Sequence, residues 1–206
     1  LNNEKIICSE CNHNLPHTNH HFLEHNDTTK KFYGIIPIEF SASMLYFHHK
    51  GIVQNLIHNL KYKNHQEVGS LLGKWYAKDL ETVSQIKTVS EIIPVPLHKK
   101  RLEERGYNQV TTFCEALSNE LKIPYNPDLL YRSRYSKTQT KKDKENRKDI
   151  ANSLFDVNFT EADHNKHFLL VDDVMTSGAT LESCAKALLK IPNSKVSVVT
   201  IAYTLS

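Results

Sequence analysis

Residues 168–180 read FLLVDDVMTSGAT. The apolar run Phe168 to Val171 has the length and composition of a strand buried on both faces. It leads without pause into Asp172 and Asp173, and Thr176, Ser177, Gly178 and Thr180 follow almost at once. Beyond them, TLESCAKALLK sets Leu181, Cys184, Ala185, Leu188 and Leu189 on one helical face. The unit is therefore strand, loop, helix. In an open α/β sheet, ligands lie beyond the carboxyl ends of strands, where the following helices present their N-termini. Thr176, Ser177, Gly178, Ala179 and Thr180 are predicted to form a tight loop. Gly178 would admit close backbone approach, while N–H groups and hydroxyls converge on an anion, best matched by a phosphate. The lysine of a nucleotide P-loop is absent, and so is a dinucleotide GxGxxG pattern. Two carboxylates just before a phosphate loop suit a ligand with hydroxyls near its phosphate, as in a ribose 5-phosphate. Asp172 and Asp173 would accept hydrogen bonds from the 2- and 3-hydroxyls, and their charge would help hold Mg²⁺. Taken alone, the same residues also describe a solvated turn and ordinary helix-capping material.

The same alternation extends outward. In GIVQNLIHNLKYKN, Ile52, Val53, Leu56, Ile57 and Leu60 recur at helical spacing, and Val68, Leu71, Leu72, Trp75 and Leu80 repeat the pattern. EIIPVPL reads as a short strand through Ile92 and Ile93, ended by Pro94 and Pro96 in a rigid loop. VTTFCEALSNEL forms a helix, LLY at 129–131 a short strand and KVSVVTIAY a last strand. Strands alternating with helices predict an α/β domain with a mainly parallel sheet, from about residue 40 to the end. Between 132 and 150 the chain carries eight Lys or Arg against three acids and reads as a surface loop.

A chain of 206 residues supports one good core, or one domain plus a small appendage. Its formal charge of +3 permits anionic ligands without requiring nucleic acid. No apolar run approaches the roughly 18 residues of a membrane span, and the N-terminal stretch lacks a secretory core, so a cytoplasmic location without membrane insertion is expected. Cys114 and Cys184 fall on apolar helix faces, as core residues do. Cys8 and Cys11 have zinc-ligand spacing but supply only half of a tetrahedral structural site for Zn²⁺. Either an upstream pair or a local histidine such as His13 or His17 would complete it.

VDDVMTSGAT resembles the signature of type I phosphoribosyltransferases, which bind phosphoribosyl pyrophosphate (PRPP). IIPVPLHKKRLEERGYNQ, KTQ at 137–139 and the helix around HNLKYKN resemble the ComF family of competence-associated, amidophosphoribosyltransferase-like proteins. The resemblance implies a type I phosphoribosyltransferase-like fold: a mainly parallel sheet flanked by helices, plus a small zinc-ribbon-like N-terminal segment. It divides the chain into a Cys/His-rich segment, 1–30, and a domain, 31–206, with hood helices about 40–90 and a PRPP-binding core about 91–206. Pro94, Val95, Pro96 and Leu97 would present backbone to pyrophosphate, with Lys99, Lys100 and Arg101 nearby and Arg105 as the preferred contact. The basic run would act as a lid carrying Lys137 and Gln139, with Arg132, Arg134 and Arg147 in support. With Asp172 and Asp173, Lys137 and Arg105 make up the expected catalytic set. Transfer of the phosphoribosyl group to an unidentified nitrogen acceptor, with Mg²⁺ and release of pyrophosphate, is the expected reaction. The alternative is a PRPP-binding competence protein without turnover that handles single-stranded DNA. A homodimer is also in keeping with the resemblance.

Overall fold

The computed structural model describes residues 6–62, 65–133 and 154–205. Its strands are β1 (Ser41–Phe47), β2 (Glu91–Pro94), β3 (Leu130–Arg132), β4 (Phe155–Val157), β5 (His167–Met175) and β6 (Lys195–Thr204). Four of them build one parallel sheet in the order β1-β6-β5-β2, and β3 and β4 form a small antiparallel pair beside it. The helices are α1 (Ser9–His13), α2 (Asp27–Lys30), α3 (Ile52–Tyr62), α4 (Gln66–Leu80), α5 (Lys99–Arg105), α6 (Thr111–Leu121) and α7 (Ala179–Leu188). None of the described helices is long and apolar enough to cross a membrane.

The strand period of two sorts β5 between two cores. Leu169 and Val171 pack with α3, α4 and α6, in a cluster that includes Leu60, Leu72 and Phe113. Phe168 and Leu170 pack on the other face with Leu181, Cys184 and Leu188 of α7. Helices cover both faces, which is why the central strands are apolar throughout. Both Cys114 and Cys184 are buried, as their helix faces imply. On the first face, α4 and α6 approach closely at Gly73, where a Cβ would lie 2.6 Å from Ala116 Cβ and 2.7 Å from the Phe113 carbonyl oxygen.

Three elements depart from the expected reading. SASMLYF, within the stretch assigned to hood helices, is a sheet strand: Ser43 pairs with Thr200 of β6, and their hydroxyls lie 2.6 Å apart. In PVPLHKKR, expected as loop, the chain turns helical at Lys99 and continues to Arg105 as α5. His98 Nδ1 accepts the Lys100 N–H at 3.2 Å, and Gly106 closes the helix at φ 76°. β5 runs on past Val171 to Met175, because β6 offers partners as far as Tyr203.

Residues 6–30 lie along the outer edge of β1. The Thr18 N–H donates to the Met44 carbonyl at 3.0 Å and the Tyr46 N–H to the Pro16 carbonyl at 2.8 Å. Ile7 and Leu15 enter the core on the α3 side. Buried Asn26 donates to the Ser41 carbonyl at 2.7 Å, and buried His20 meets Thr28 at 2.8 Å. The boundary expected near residue 30 therefore crosses a continuous network of buried contacts.

Candidate functional site

The two aspartates lie inside the sheet ladder. Asp172 pairs with Thr200, and the chain leaves the sheet only after Met175. Gly178 then adopts φ 84°, and an added Cβ would sit 3.0 Å from Met175 Cε. A side chain at this position would be strained and crowded. Gly178 brings no capping side chain to α7, Ser177 Oγ accepts the Ala179 N–H at a long 3.4 Å, and the first helical bond runs from the Glu182 N–H to the Gly178 carbonyl at 2.8 Å. The N–H groups of the first turn, Ala179 to Leu181, thus stand outside the helical ladder at the positive end of the helix dipole. Together with Asp172 and the Thr176, Ser177 and Thr180 positions they line a small cavity of about 40 Å³.

The pleat sends the two carboxylates different ways. Asp172, half-buried, lines the cradle at the start of α7. Asp173 is 5% exposed, turns beneath α3, and its Oδ2 is paired with Lys61 Nζ at 2.6 Å. Its other oxygen accepts the Val174 N–H at 2.6 Å, while Asp172 Oδ1 accepts the Asp173 N–H at 2.8 Å. Burial first, and the neighbouring Asp173 charge second, push the Asp172 carboxyl up to about 8. The proton is thus favoured on Asp172, while Asp173 is the member of the pair that meets Lys61.

The loop at the end of β2 is fixed against the same strand. The Val95 N–H donates to the Val171 carbonyl at 2.8 Å, immediately before Asp172. Asn108 Nδ2 donates to the Val95 carbonyl at 2.9 Å, and Tyr107 donates its hydroxyl to the Leu60 carbonyl at 2.6 Å. RGYNQ is thus a brace from the 94–97 loop to the end of α3. Arg105 sits over the Tyr62 ring at 4.9 Å, with Nη1 2.8 Å from Gln109 Oε1 and Nη2 3.2 Å from the Tyr62 hydroxyl.

Consecutive residues of α3 thereby serve two parts of the site: Lys61 neutralises Asp173 and Tyr62 carries Arg105. Neither was singled out in the sequence, where the only signal was the HNLKYKN helix as a whole. Lys99 stands apart from this group. It projects from α5, 3.6 Å from Glu103, and lines with Pro96, Leu97 and Arg132 a separate cavity of about 640 Å³. Lys137 and Gln139, with Arg134 and Arg147, lie outside the described residues.

Cys8 and Cys11 lie at the start of α1, where Cys8 Sγ accepts the Cys11 N–H at 3.4 Å. Among the described residues no group of three or more His, Cys, Asp or Glu is placed to hold a metal, so these two thiols do not make a structural zinc site by themselves. The same holds at the strand end. Two carboxylates with a lysine on one of them cannot cage a cation, but they fit Mg²⁺ that brings most of its oxygen ligands with a substrate.

A phosphoribosyl transferase domain is matched over residues 111–206, from α6 to the end of the chain. Competence protein F of Haemophilus influenzae is 29% identical over 147 residues, covering 69% of this chain and 64% of that protein. The DNA utilization protein YhgH of Escherichia coli K12 is 28% identical over 153 residues, covering 73% of this chain and 66% of that protein. Competence protein ComFC of Bacillus subtilis is 32% identical over 99 residues, 48% of this chain and 38% of its own length. The chain thus spans just under two thirds of the first two relatives.

Proposed function

We propose that this chain is a ComF-like relative of the phosphoribosyltransferase-domain proteins it resembles, and that the carboxyl end of β5 binds PRPP for transfer of its phosphoribosyl group to a nitrogen acceptor. The observation that carries the reading is the continuous run from two carboxylates in the ladder to a helix N-terminus whose N-cap is the glycine Gly178. The 5-phosphate accepts the first-turn N–H groups of α7 and the hydroxyls of Thr176, Ser177 and Thr180. Asp172 and Asp173 take the ribose hydroxyls; a protonated Asp172 both donates and accepts there, and gives up its proton when a cation approaches. Pyrophosphate lies against the 94–97 backbone, which Asn108 holds in place, with Arg105 supplying charge.

Mg²⁺ arriving with PRPP would be held beside Asp172 and Asp173 and would neutralise the departing pyrophosphate. The chain itself contributes orientation. Asp173, fixed by Lys61 and the Val174 N–H, would set the sugar, and the α7 end would set the phosphate. In the reaction the acceptor nitrogen bonds to C1 as the C1–O bond breaks with its electrons on pyrophosphate. The Haemophilus and Escherichia relatives carry names that speak of competence and DNA utilization. A place for this chain beside such machinery in the cytoplasm is part of the same proposal.

The test is ligand-induced stabilisation. PRPP with Mg²⁺ should raise the melting temperature of the wild type, and the Asp172→Asn/Asp173→Asn protein should fold but show no such rise. An equal rise in both would remove the aspartates from the site.

A further inference from the structure

The cradle at the start of α7 lacks positive side chains. A phosphate monoester brings a charge of about −1.5 to −2 at neutral pH. Among the described residues that line the cavity of about 40 Å³ there is no lysine, arginine or histidine, and Asp172 adds a carboxyl. The cations already placed serve other groups: Lys61 meets Asp173, and Arg105 lies over Tyr62. Lys186, in the last turn of α7, pairs with Glu182 at 2.5 Å. The cation set against the cradle comes from the other end of the chain. A Cβ built on Gly178 would lie 3.5 Å from Lys31 Cβ and 4.0 Å from Phe32 Cε1. Phe32, 2% exposed, packs in the same core as Met175 and Leu181, which flank the loop. On the other side Asn26 anchors α2: its Oδ1 accepts the Thr29 N–H at 2.9 Å, and its Nδ2 donates to the Ser41 carbonyl. The Lys31 N–H closes that turn on the Thr28 carbonyl at 3.2 Å. The backbone of Lys31 is therefore held from both sides. Its ammonium lies over the ring of Tyr203, 5.9 Å from the centroid. Tyr203 is buried and pairs with Met175, the last residue of β5. Lys30, by contrast, is exposed and pairs with Asp27 at 2.9 Å.

We infer that Lys31 binds the 5-phosphate, so that the N-terminal segment completes the cradle. The inference rests on the PRPP reading, and it adds a cation from a segment that precedes the matched domain of residues 111–206. A lysine is a point charge on a flexible four-carbon stem, so from a Cβ fixed beside Gly178 the ammonium reaches either the Tyr203 ring or a phosphate on the first turn of α7. The ring face attracts it weakly, whereas phosphate oxygens accept charge-assisted hydrogen bonds, so an arriving phosphate draws it across. The helix N-terminus then orients the phosphate, and Lys31 supplies the charge that N–H groups and hydroxyls lack. Selectivity follows from the placement. A sugar carrying the 5-phosphate gains from Lys31, while the pyrophosphate end, against the 94–97 loop, does not. The buried polar network of Thr18, His20, Asn26 and Thr28 thereby gains a task in the site, since it sets the turn that presents Lys31.

Calorimetric binding to the full chain tests this, with ribose 5-phosphate and Mg²⁺-pyrophosphate as probes beside PRPP with Mg²⁺. Lys31→Gln should weaken ribose 5-phosphate and PRPP about tenfold or more while Mg²⁺-pyrophosphate stays within about twofold, and Lys31→Arg, which keeps the charge, should stay within about threefold of the wild type throughout. A second measurement needs no variant to fold. On the wild type, ribose 5-phosphate should protect Lys31 from acetylation by acetic anhydride, read by mass spectrometry, and ribose should not. Equal binding of ribose 5-phosphate by the wild type and Lys31→Gln would overturn Lys31 and leave the PRPP site in place. So would an equal loss for ribose 5-phosphate and Mg²⁺-pyrophosphate, a loss as large in Lys31→Arg as in Lys31→Gln, or bound ribose 5-phosphate without protection. A wild type that binds neither PRPP nor ribose 5-phosphate would overturn the reading of the site itself, and this assignment with it.

Discussion

Asp172 is the residue on which burial and function pull hardest against each other. Its carboxyl titrates at about 8 in the folded chain, against about 4 when unfolded. The folded state thus prefers the proton, and the stability this gives is complete below about pH 4 and lost by about pH 8. Asp172→Asn removes the loss. Its melting temperature should rise above that of the wild type as pH increases from about 4 to 8, by several degrees at the upper end, and the gap should then level off. A gap independent of pH would mean that Asp172 is ionised in the fold. Lys61 has the opposite role. Its side chain is 23% exposed and that of Asp173 7%, so Lys61→Met strands a buried carboxylate. The expected cost is about 2–3 kcal/mol in urea denaturation, somewhat less than for a wholly buried pair, and adding Asp173→Asn should recover most of it. The aspartates and the hydroxyl loop were legible because their chemistry is contiguous in the chain. The pairing of Lys61 with Asp173 joins distant segments and leaves no local pattern to read.

Among the elements, those read correctly have an apolar stripe. α3, α4, α6 and α7 each bury residues three and four apart, and that periodicity survives in the sequence. α5 was missed because KKRLEER has one apolar residue, the exposed Leu102. Its helix rests on the His98 cap and on Lys99–Glu103 and Lys100–Glu104 pairs. β1 was missed because Ser41 and Ser43 interrupt its apolar run, although both are buried and paired with threonine hydroxyls. α4 and α6 offer the sharpest test at this scale. Gly73→Ala places a methyl where Ala116 and the Phe113 carbonyl already stand. The helices must part, at an expected cost of about 1–3 kcal/mol in denaturant unfolding. An unchanged midpoint would show that this contact yields freely.

At the scale of the molecule, the alternation of strands and helices was enough to foresee a parallel sheet covered on both faces. It could not foresee that residues 6–30 complete that sheet's edge, since their anchors are buried polar groups such as Thr18, His20, Asn26 and Thr28. Composition marks such residues as surface, and only their partners reveal the burial. The sheet brings the ends of β2 and β5 side by side, and the α3 turn supplies Lys61 and the support for Arg105 from above. Every part of the proposed site therefore meets at one edge of one sheet. Calorimetric titration of the whole chain with PRPP, with and without Mg²⁺, puts this arrangement to the most direct test. The account predicts binding at a single site per chain that requires the cation. Failure of the wild type to bind PRPP with Mg²⁺ present, or binding indifferent to the cation, would contradict it.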